Sequence, residues 1–295
     1  MEITRCPVCD SPDIHPFRAG NFAARTIRSE DIRITDRDYG KIWDLSRCGR
    51  CTHVFAAPAP SPDFIQRLYS RIEDPDYQEE AEGRGRNFIR ILNRLARFHP
   101  HRGRLLDVGA ATGILMDLAR GRGWEPSGVE PSRWAVGTAR ERYGLELFHG
   151  GFDAADFDKE SFSVVTMVDF IEHIPRPRLA VRKARDLLAP GGTLCLVTPD
   201  LGSAAARLSG RRWWHLRPAH LAYFNRRSLY TLLEEAGLRV VRTKRYAWTF
   251  SAHYLISRLP GLGFLLKSPR LSSFWKRIPL KLALGDSFEI YARKE

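Results

Sequence analysis

Nowhere does the chain carry an apolar run long enough to cross a bilayer. About 18–20 residues are needed, and the longest candidate, Leu255 to Leu266, is broken by Arg258, Pro260 and two glycines. The first residues, Met1 to Cys6, lack the apolar core of a secretory signal. A cytoplasmic protein is expected, touching a membrane face at most. Acidic residues are in deficit, 34 Asp+Glu against 47 Lys+Arg, which gives a formal net charge of +13. That balance points to an anionic partner, whether nucleic acid, a phosphorylated small molecule or an anionic membrane, and does not choose among them. Cysteine is scarce, and four of the five fall in two CxxC pairs. In a reducing compartment such pairs indicate metal before disulfides. Internal repeats and low-complexity tracts are absent, which excludes a solenoid or a disordered chain.

What is present suits a globular protein. Hydrophobic residues make up 43% of 295 positions and aromatics 11%. This supports one large domain, or a medium domain with a small module. Residues 1–57 hold both cysteine pairs, and Pro58-Ala59-Pro60-Ser61-Pro62 is a linker. Residues 58–100 are otherwise helical. Asp63 is the expected N-cap of a first helix, and Phe88, Ile91, Leu92 and Leu95 form the stripe of a second over 84–98. From 101 onward, short apolar runs alternate with helical patterns. Strands are expected at 104–108, 124–130, 145–149, 162–168, 193–198, 238–246 and 287–293, with a turn at 189–192 before the fifth. Alternation of this kind predicts an α/β fold, a doubly wound and mostly parallel sheet with helices on both faces.

The sharpest local signal is Asp107-Val108-Gly109-Ala110-Ala111-Thr112-Gly113, a strand end, a small-residue turn and a helix start. Open parallel sheets bind ligands at such places. The spacing is neither GxGxxG nor a P-loop, because no Lys-Ser/Thr follows, so no phosphate cradle is implied. About twenty residues later Glu130 closes the second strand, where a carboxylate accepts ribose hydroxyls. A ribose anchor without a phosphate loop suggests a nucleoside ligand.

Taken with Asp169-x-x-Glu172-His173-Ile174 after strand four and Leu188-Ala189-Pro190-Gly191-Gly192 before strand five, these motifs resemble class I S-adenosylmethionine-dependent methyltransferases over residues 65–295. The resemblance implies a Rossmann-like sheet of seven strands with the last antiparallel, and S-adenosylmethionine as cofactor. Carried onto this chain, it gives a binding set of Asp107, Gly109, Ala110, Thr112, Gly113, Glu130, Pro131, Phe152, Asp153 and Asp169. Asp107, Gly109 and Gly113 would line the methionine and ribose end, Glu130 would hold the ribose, and Phe152 and Asp153 would contact the adenine. Ala111 departs from the family by replacing the middle glycine of the loop, and Ser163 stands where Phe-Asp commonly begins strand four.

Cys6, Cys9, Cys48 and Cys51 form two knuckles, and four thiolates close a tetrahedral zinc site with a structural role. The 38 residues between the pairs exceed ordinary ribbon spacing. Residues 32–35 and 41–45 alternate well enough to be ribbon strands within that gap. His15 and His53 are weaker ligand candidates. Zinc-ribbon N-termini recur on a bacterial methyltransferase subgroup that this chain resembles, one associated with glycans and secondary metabolites.

Methyl transfer to an alcohol or carbon acid needs a base. Trp213 to Phe224 holds two Trp, two His, Tyr and Phe, enough for an apolar pocket with polar handles. His220 is the first candidate for base or acceptor anchor, followed by His173 and His215. The region 251–284 mixes Leu and aromatics with Lys and Arg, as a lid, a dimer surface or a membrane-facing insertion would. The expected acceptor is a small molecule, such as a sugar nucleotide or lipid-linked sugar. The Asn/Asp-Pro-Pro-aromatic motif of amine-methylating enzymes is missing, which argues against nucleic acid. An RNA methyltransferase using the basic surface and the ribbon, or a non-catalytic scaffold of the same fold, remain as alternatives.

Overall fold

The computed structural model describes residues 2–23, 26–35, 39–259 and 261–295. Pro260, one of the interruptions noted above, lies outside the described residues. Three strands, β1 (Ile14–Arg18), β2 (Leu45–Cys48) and β3 (Val54–Ala56), surround the cysteine pairs. Helices α1 (Pro62–Ser70), α2 (Pro75–Glu79) and α3 (Ala81–Phe98) follow. The alternating region runs β4 (Gly103–Val108), α4 (Ile114–Arg120), β5 (Trp124–Glu130), α5 (Arg133–Tyr143), β6 (Phe148–His149), β7 (Phe162–Val168), α6 (Pro177–Leu187) and β8 (Leu188–Pro199). Then come α7 (Ala204–Ser209), β9 (Ala222–Tyr223), α8 (Arg226–Glu235), β10 (Leu238–Arg245), β11 (Trp248–Ser251), α9 (Ala252–Arg258), α10 (Pro269–Arg277), β12 (Pro279–Leu282) and β13 (Ser287–Lys294).

The main sheet has the order β10-β13-β8-β7-β4-β5-β6. β4 pairs in parallel with both β5 and β7, and β13 is antiparallel to β8 and β10. The expected seven-stranded sheet with an antiparallel last strand is therefore present. The chain leaves β4 toward one edge and returns to its other side at β7, so a crevice opens at the carboxyl ends of these strands. Side chains alternate between two cores. Leu106, Val165 and Leu196 meet α6 and α8 on one face, while Leu105, Val164 and Cys195 meet α3 and α4 on the other.

Several local expectations are corrected. Residues 32–35 and 41–44 are not ribbon strands: Ser29–Ile32 is a 3-10 turn, and regular pairing begins at Leu45. Ile32, Ile42 and Trp43 are buried against Trp213 and Leu216, so their apolar pattern reflects packing rather than strand alternation. Ser61, not Asp63, caps α1, accepting from the Phe64 N–H at 3.2 Å with Pro62 at the first helical position. The expected turn 189–192 is the start of β8, bent where Gly191 takes φ +75°.

The cysteine module is not a separate body. β9, from the far side of the chain, pairs with β3 and completes a sheet of order β1-β2-β3-β9. The cysteines and Phe55 share a core with Ala222 and Phe224. The insertion is closed at its base by the antiparallel pair β11–β12. Asn87 exchanges two hydrogen bonds with the Thr249 backbone, at 2.8 and 2.9 Å, and ties that base to α3. Among the described residues no helix is long and apolar enough to cross a membrane.

Candidate active site

The site begins at the turn after β4. Gly109 takes φ +77°, and a Cβ there would stand 3.0 Å from the Phe170 ring. Ala111 also lies in the left-handed region, at φ 46°. A side chain there costs about 1–2 kcal/mol relative to ordinary helical backbone. The position is held by Glu130, which accepts from the Ala111 N–H at 2.9 Å and from the Ser132 N–H at 2.8 Å. One carboxylate thus joins the turn after β4 to the start of α5. Ser132 caps α5 and donates to the Ile72 carbonyl, which fixes the helical segment above.

A cavity of about 750 Å³ opens beside this turn. Of the expected binding set, Gly109, Thr112, Glu130, Pro131, Phe152, Asp153 and Asp169 line it. Asp107, Ala110 and Gly113 lie beneath, and Asp107 accepts from Thr166 Oγ1 at 2.6 Å. Thr112 Oγ1 is buried with no partner. Phe152 meets Phe170 edge-on at 6.3 Å, and Lys183 binds the carbonyls of Asp153 and Ala155.

Burial raises the pKa of four acids around this turn. Asp107 is pushed up to about 6, Glu130 to about 7 and Asp169 to about 7, while Glu172 is pushed well above the usual carboxylate range. Of these acids Glu130 and Asp169 line the cavity, and a cationic ligand beside them would favour their ionised forms. A sulfonium nucleoside meets both demands of the site, a positive centre for the acids and a ribose for Glu130. S-adenosylmethionine fits the residues present, and the unpartnered Thr112 hydroxyl leaves one polar contact to be made.

The opposite wall was not legible in the sequence. α1 is amphipathic yet has no fully buried residue, because Ile65 and Tyr69 face the cavity. Ile32 and Ile34 reach it from the long gap between the cysteine pairs. Asp74, the cap of α2, holds this gap segment by accepting from the Thr35 N–H at 3.0 Å and from the Thr35 hydroxyl. The apolar stripe of α1 was the available signal.

The three histidines occupy different depths. His173 lines the cavity, with Nδ1 2.8 Å from Tyr69 Oη and 2.9 Å from the Ala219 carbonyl. His220 lies behind it, buried, with ring centroids 4.8 Å apart. His215 is more distant, 3.4 Å from the Asp286 carboxylate. Burial pushes the His173 pKa down to about 4 and that of His220 well below the usual imidazole value. The stretch 213–224 is a core wall rather than a pocket lining. Trp213 is fully buried and donates to Asp286, while Trp43 donates to the Pro218 carbonyl.

The four cysteines of the N-terminal pairs are buried and none is in a disulfide. Cys6 and Cys51 sulfurs are 3.5 Å apart, and those of Cys9 and Cys48 are 3.6 Å apart. A tetrahedron with Zn–S bonds of about 2.3 Å has edges of about 3.8 Å. The cluster is compatible with zinc. His15 instead bonds Asp13, and His53 packs between Phe55 and Phe224.

A family model described as a methyltransferase domain matches residues 77–243. The chain is 32% identical over 106 residues to the ubiquinone biosynthesis O-methyltransferase of Azoarcus sp. (strain BH72), covering 32% of this chain and 43% of that one. It is 28% identical over 173 residues to the protein of that name from Xanthomonas axonopodis pv. citri, covering 52% and 72%. The match to the Azoarcus relative thus spans less than half of that protein. Among solved structures, a Haloferax volcanii methyltransferase complex with an activator superposes with a TM-score of 0.51 at 17% identity, covering 75% of this chain and 98% of the other. A Galdieria sulphuraria structure named for sarcosine dimethylglycine methyltransferase gives 0.50 at 17% identity, covering 71% and 86%. At that identity the structures show the fold alone. The family match, covering more than half the sequence, together with the strand order, shows that the chain belongs to the methyltransferase-domain family of class I S-adenosylmethionine-dependent enzymes.

Proposed function

We propose that this protein transfers a methyl group from S-adenosylmethionine to a hydroxyl oxygen of a small, largely apolar acceptor. The observation that carries the reading is the continuity of the cavity, which runs from the Glu130–Gly109–Thr112 turn to His173 beneath apolar walls. The bound cofactor supplies a methyl group already activated on a sulfonium, so alignment provides much of the catalysis. Glu130 would accept the ribose hydroxyls, Phe152 and Asp153 would flank the adenine, and Gly109 admits close approach. Ile32, Ile34, Ile65 and Tyr69 would hold the acceptor and exclude water. The relatives named for ubiquinone biosynthesis O-methylation support an acceptor hydroxyl on a small molecule. A lipid-linked sugar suits these walls better than a free sugar nucleotide.

The insertion supports delivery from a membrane. None of its described residues lines the cavity. Between Ser251 and Leu284 there are six Lys or Arg and no acidic residue. Leu259, Phe264, Leu271, Phe274, Leu280 and Leu284 are exposed there, half of the exposed large apolar side chains among the described residues. Basic and apolar groups together suit an anionic lipid surface. The four cysteines hold a structural zinc in this reading, and zinc-binding CxxC pairs suit a reducing compartment such as the cytoplasm. RNA is a weaker fit. Single strands need aromatic stacking platforms, and the exposed aromatics Phe17, Tyr39, Phe148, Phe264 and Phe274 all lie away from the cavity.

Calorimetric titration with S-adenosylmethionine and its demethylated product tests the cofactor. Labelled methyl transfer to a panel of polyprenyl phenols, lipid-linked sugars and sugar nucleotides then tests the acceptor. Binding of neither nucleoside by folded, metal-loaded protein would sink the enzyme reading in favour of a scaffold. Transfer only to RNA would overturn the acceptor class.

A further inference from the structure

Three side chains, His173 on the cavity wall and Glu172 and His220 buried behind it, present ligand atoms within 4.8 Å of one another. Two hydrogen bonds lock their segments together. The Leu221 N–H donates to the Glu172 carbonyl at 2.8 Å, and His173 Nδ1 lies 2.9 Å from the Ala219 carbonyl. A carbonyl only accepts, whereas the Tyr69 hydroxyl 2.8 Å from the same nitrogen can accept as well as donate, so protonation of His173 Nδ1 is the state that satisfies both contacts and leaves the Nε2 lone pair available. Glu172 Oε2 accepts from Thr198 Oγ1 at 2.9 Å, while Glu172 Oε1 is buried with no partner. His220 Nδ1 is likewise buried with no partner.

A buried carboxylate oxygen and a buried imidazole nitrogen left unpaired are costly in a fold that satisfies its polar groups. Here they converge with a third donor, and two of the three ligands have a fixed orienting contact. A carboxylate held by a hydroxyl and a histidine held by a carbonyl are the supports that metal ligands use. The cluster also meets the cavity, because His173 lines it. Three protein donors leave coordination positions open, as in sites that bind a reacting oxygen.

We infer that Glu172, His173 and His220 form a binding site for a divalent first-row cation, separate from the four-cysteine cluster, which receives the acceptor's hydroxyl oxygen. Two imidazoles and one carboxylate suit Mn²⁺, Co²⁺ or Zn²⁺, whereas thiolates select zinc. This rests on the methyl-transfer reading above and gives it a means of activating the oxygen. The coordinated hydroxyl would release its proton to a water held at another open position of the cation, from which it passes to solvent. The oxygen's electron pair then forms the new bond to the methyl carbon, and the methyl–sulfur bond breaks with its pair going to sulfur. The sulfonium charge is lost as the thioether forms, and one proton is released per methyl transferred.

The test uses the full chain with its cysteine metal in place. Metal analysis and electron paramagnetic resonance follow titration with Mn²⁺, and S-adenosylmethionine binding is measured on the same samples. The expected result is one saturable Mn²⁺ per chain, or a second equivalent of zinc that resists exchange, in addition to the cysteine-bound metal. Glu172→Gln and His220→Ala should weaken this second site about 100-fold and leave cysteine-bound metal and cofactor binding intact. Thr198→Val, which removes only the orienting hydroxyl, should weaken it about 10-fold. Folded wild-type protein that binds S-adenosylmethionine but takes up no second cation overturns the metal site alone. Loss of cofactor binding as well would overturn the methyl-transfer reading with it. Uptake undiminished in both ligand variants would place the cation elsewhere and also refute the assignment.

Discussion

Replacing Glu130 by glutamine tests the cofactor end of the cavity in a way that isolates one group. The carboxylate accepts two backbone N–H groups, from Ala111 and Ser132. Glutamine can accept one of them and turns its NH₂ toward the other. A hydrogen bond to a charged group is worth about 1.5–3 kcal/mol. A loss of about 2 kcal/mol corresponds to roughly 30-fold in dissociation constant. That difference should appear in full at pH 8. Burial raises the Glu130 pKa to about 7, and the ionised form is the better acceptor for ribose hydroxyls. As pH falls through about 7 the wild-type protein should therefore lose affinity, by about 10-fold between pH 8 and pH 6. The glutamine variant has no such proton to take up. Asp107 and Asp169 titrate in both proteins, with only a secondary change at Asp107, whose charge interacts with that of Glu130, so the ratio of affinities reports chiefly Glu130. It should shrink from roughly 30 to roughly 3. Calorimetry with the demethylated product, with circular dichroism to confirm folding, provides the assay. A ratio independent of pH, or a variant that binds as tightly as wild type at pH 8, would refute the placement of the ribose at Glu130.

Ala111→Gly should relieve the left-handed backbone at φ 46°. The gain is up to about 1 kcal/mol, partly offset by unfolded-state entropy, or about 2–3 °C in a thermal melt. A lower melting temperature would contradict it. Asp74→Ala removes the acceptor of two Thr35 hydrogen bonds, so the acceptor's KM should rise while cofactor affinity stays within about twofold. Stripping the cysteine-bound metal, or Cys48→Ala, should lower the melting temperature by roughly 10 °C, because these thiols sit in the core shared with Phe224. Phe264→Glu with Phe274→Glu should abolish co-sedimentation with anionic vesicles without changing cofactor affinity. Equal binding of the variant to those vesicles would exclude the insertion as the contact.

The parallel sheet was legible because its signals are local. The strands over 124–130 and 162–168 match their expected bounds: the second is a β-rich run ended by Asp169, and the first, though it contains Pro126 and Gly128, is framed by Gly123 and Pro131. The glycine turn and Glu130 were legible for the same reason, since backbone freedom and ribose chemistry restrict residue type. The acceptor wall was not. Ile32 and Ile34 look like a strand by alternation, and long-range ties, from Thr35 to Asp74 and from Arg217 to the Arg33 carbonyl, hold that segment over the cavity. His220 stood out in sequence as part of an aromatic stretch. Its partners Glu172 and His173 lie about fifty residues earlier, and the Leu221–Glu172 backbone bond joins them.

The strand shared between β3 and β9 has a consequence for the order of folding during synthesis. The small sheet takes its last strand from Ala222–Tyr223, while its other three are complete by Ala56. The intervening stretch of about 170 residues takes roughly ten to thirty seconds to make at ordinary translation rates. Throughout that interval the outer edge of β3 has no partner, and an open edge invites pairing with other chains. A metal captured early by the four thiols would hold the three short strands together until β9 arrives. The cysteine cluster would then act as a clasp during synthesis as well as a support in the finished protein.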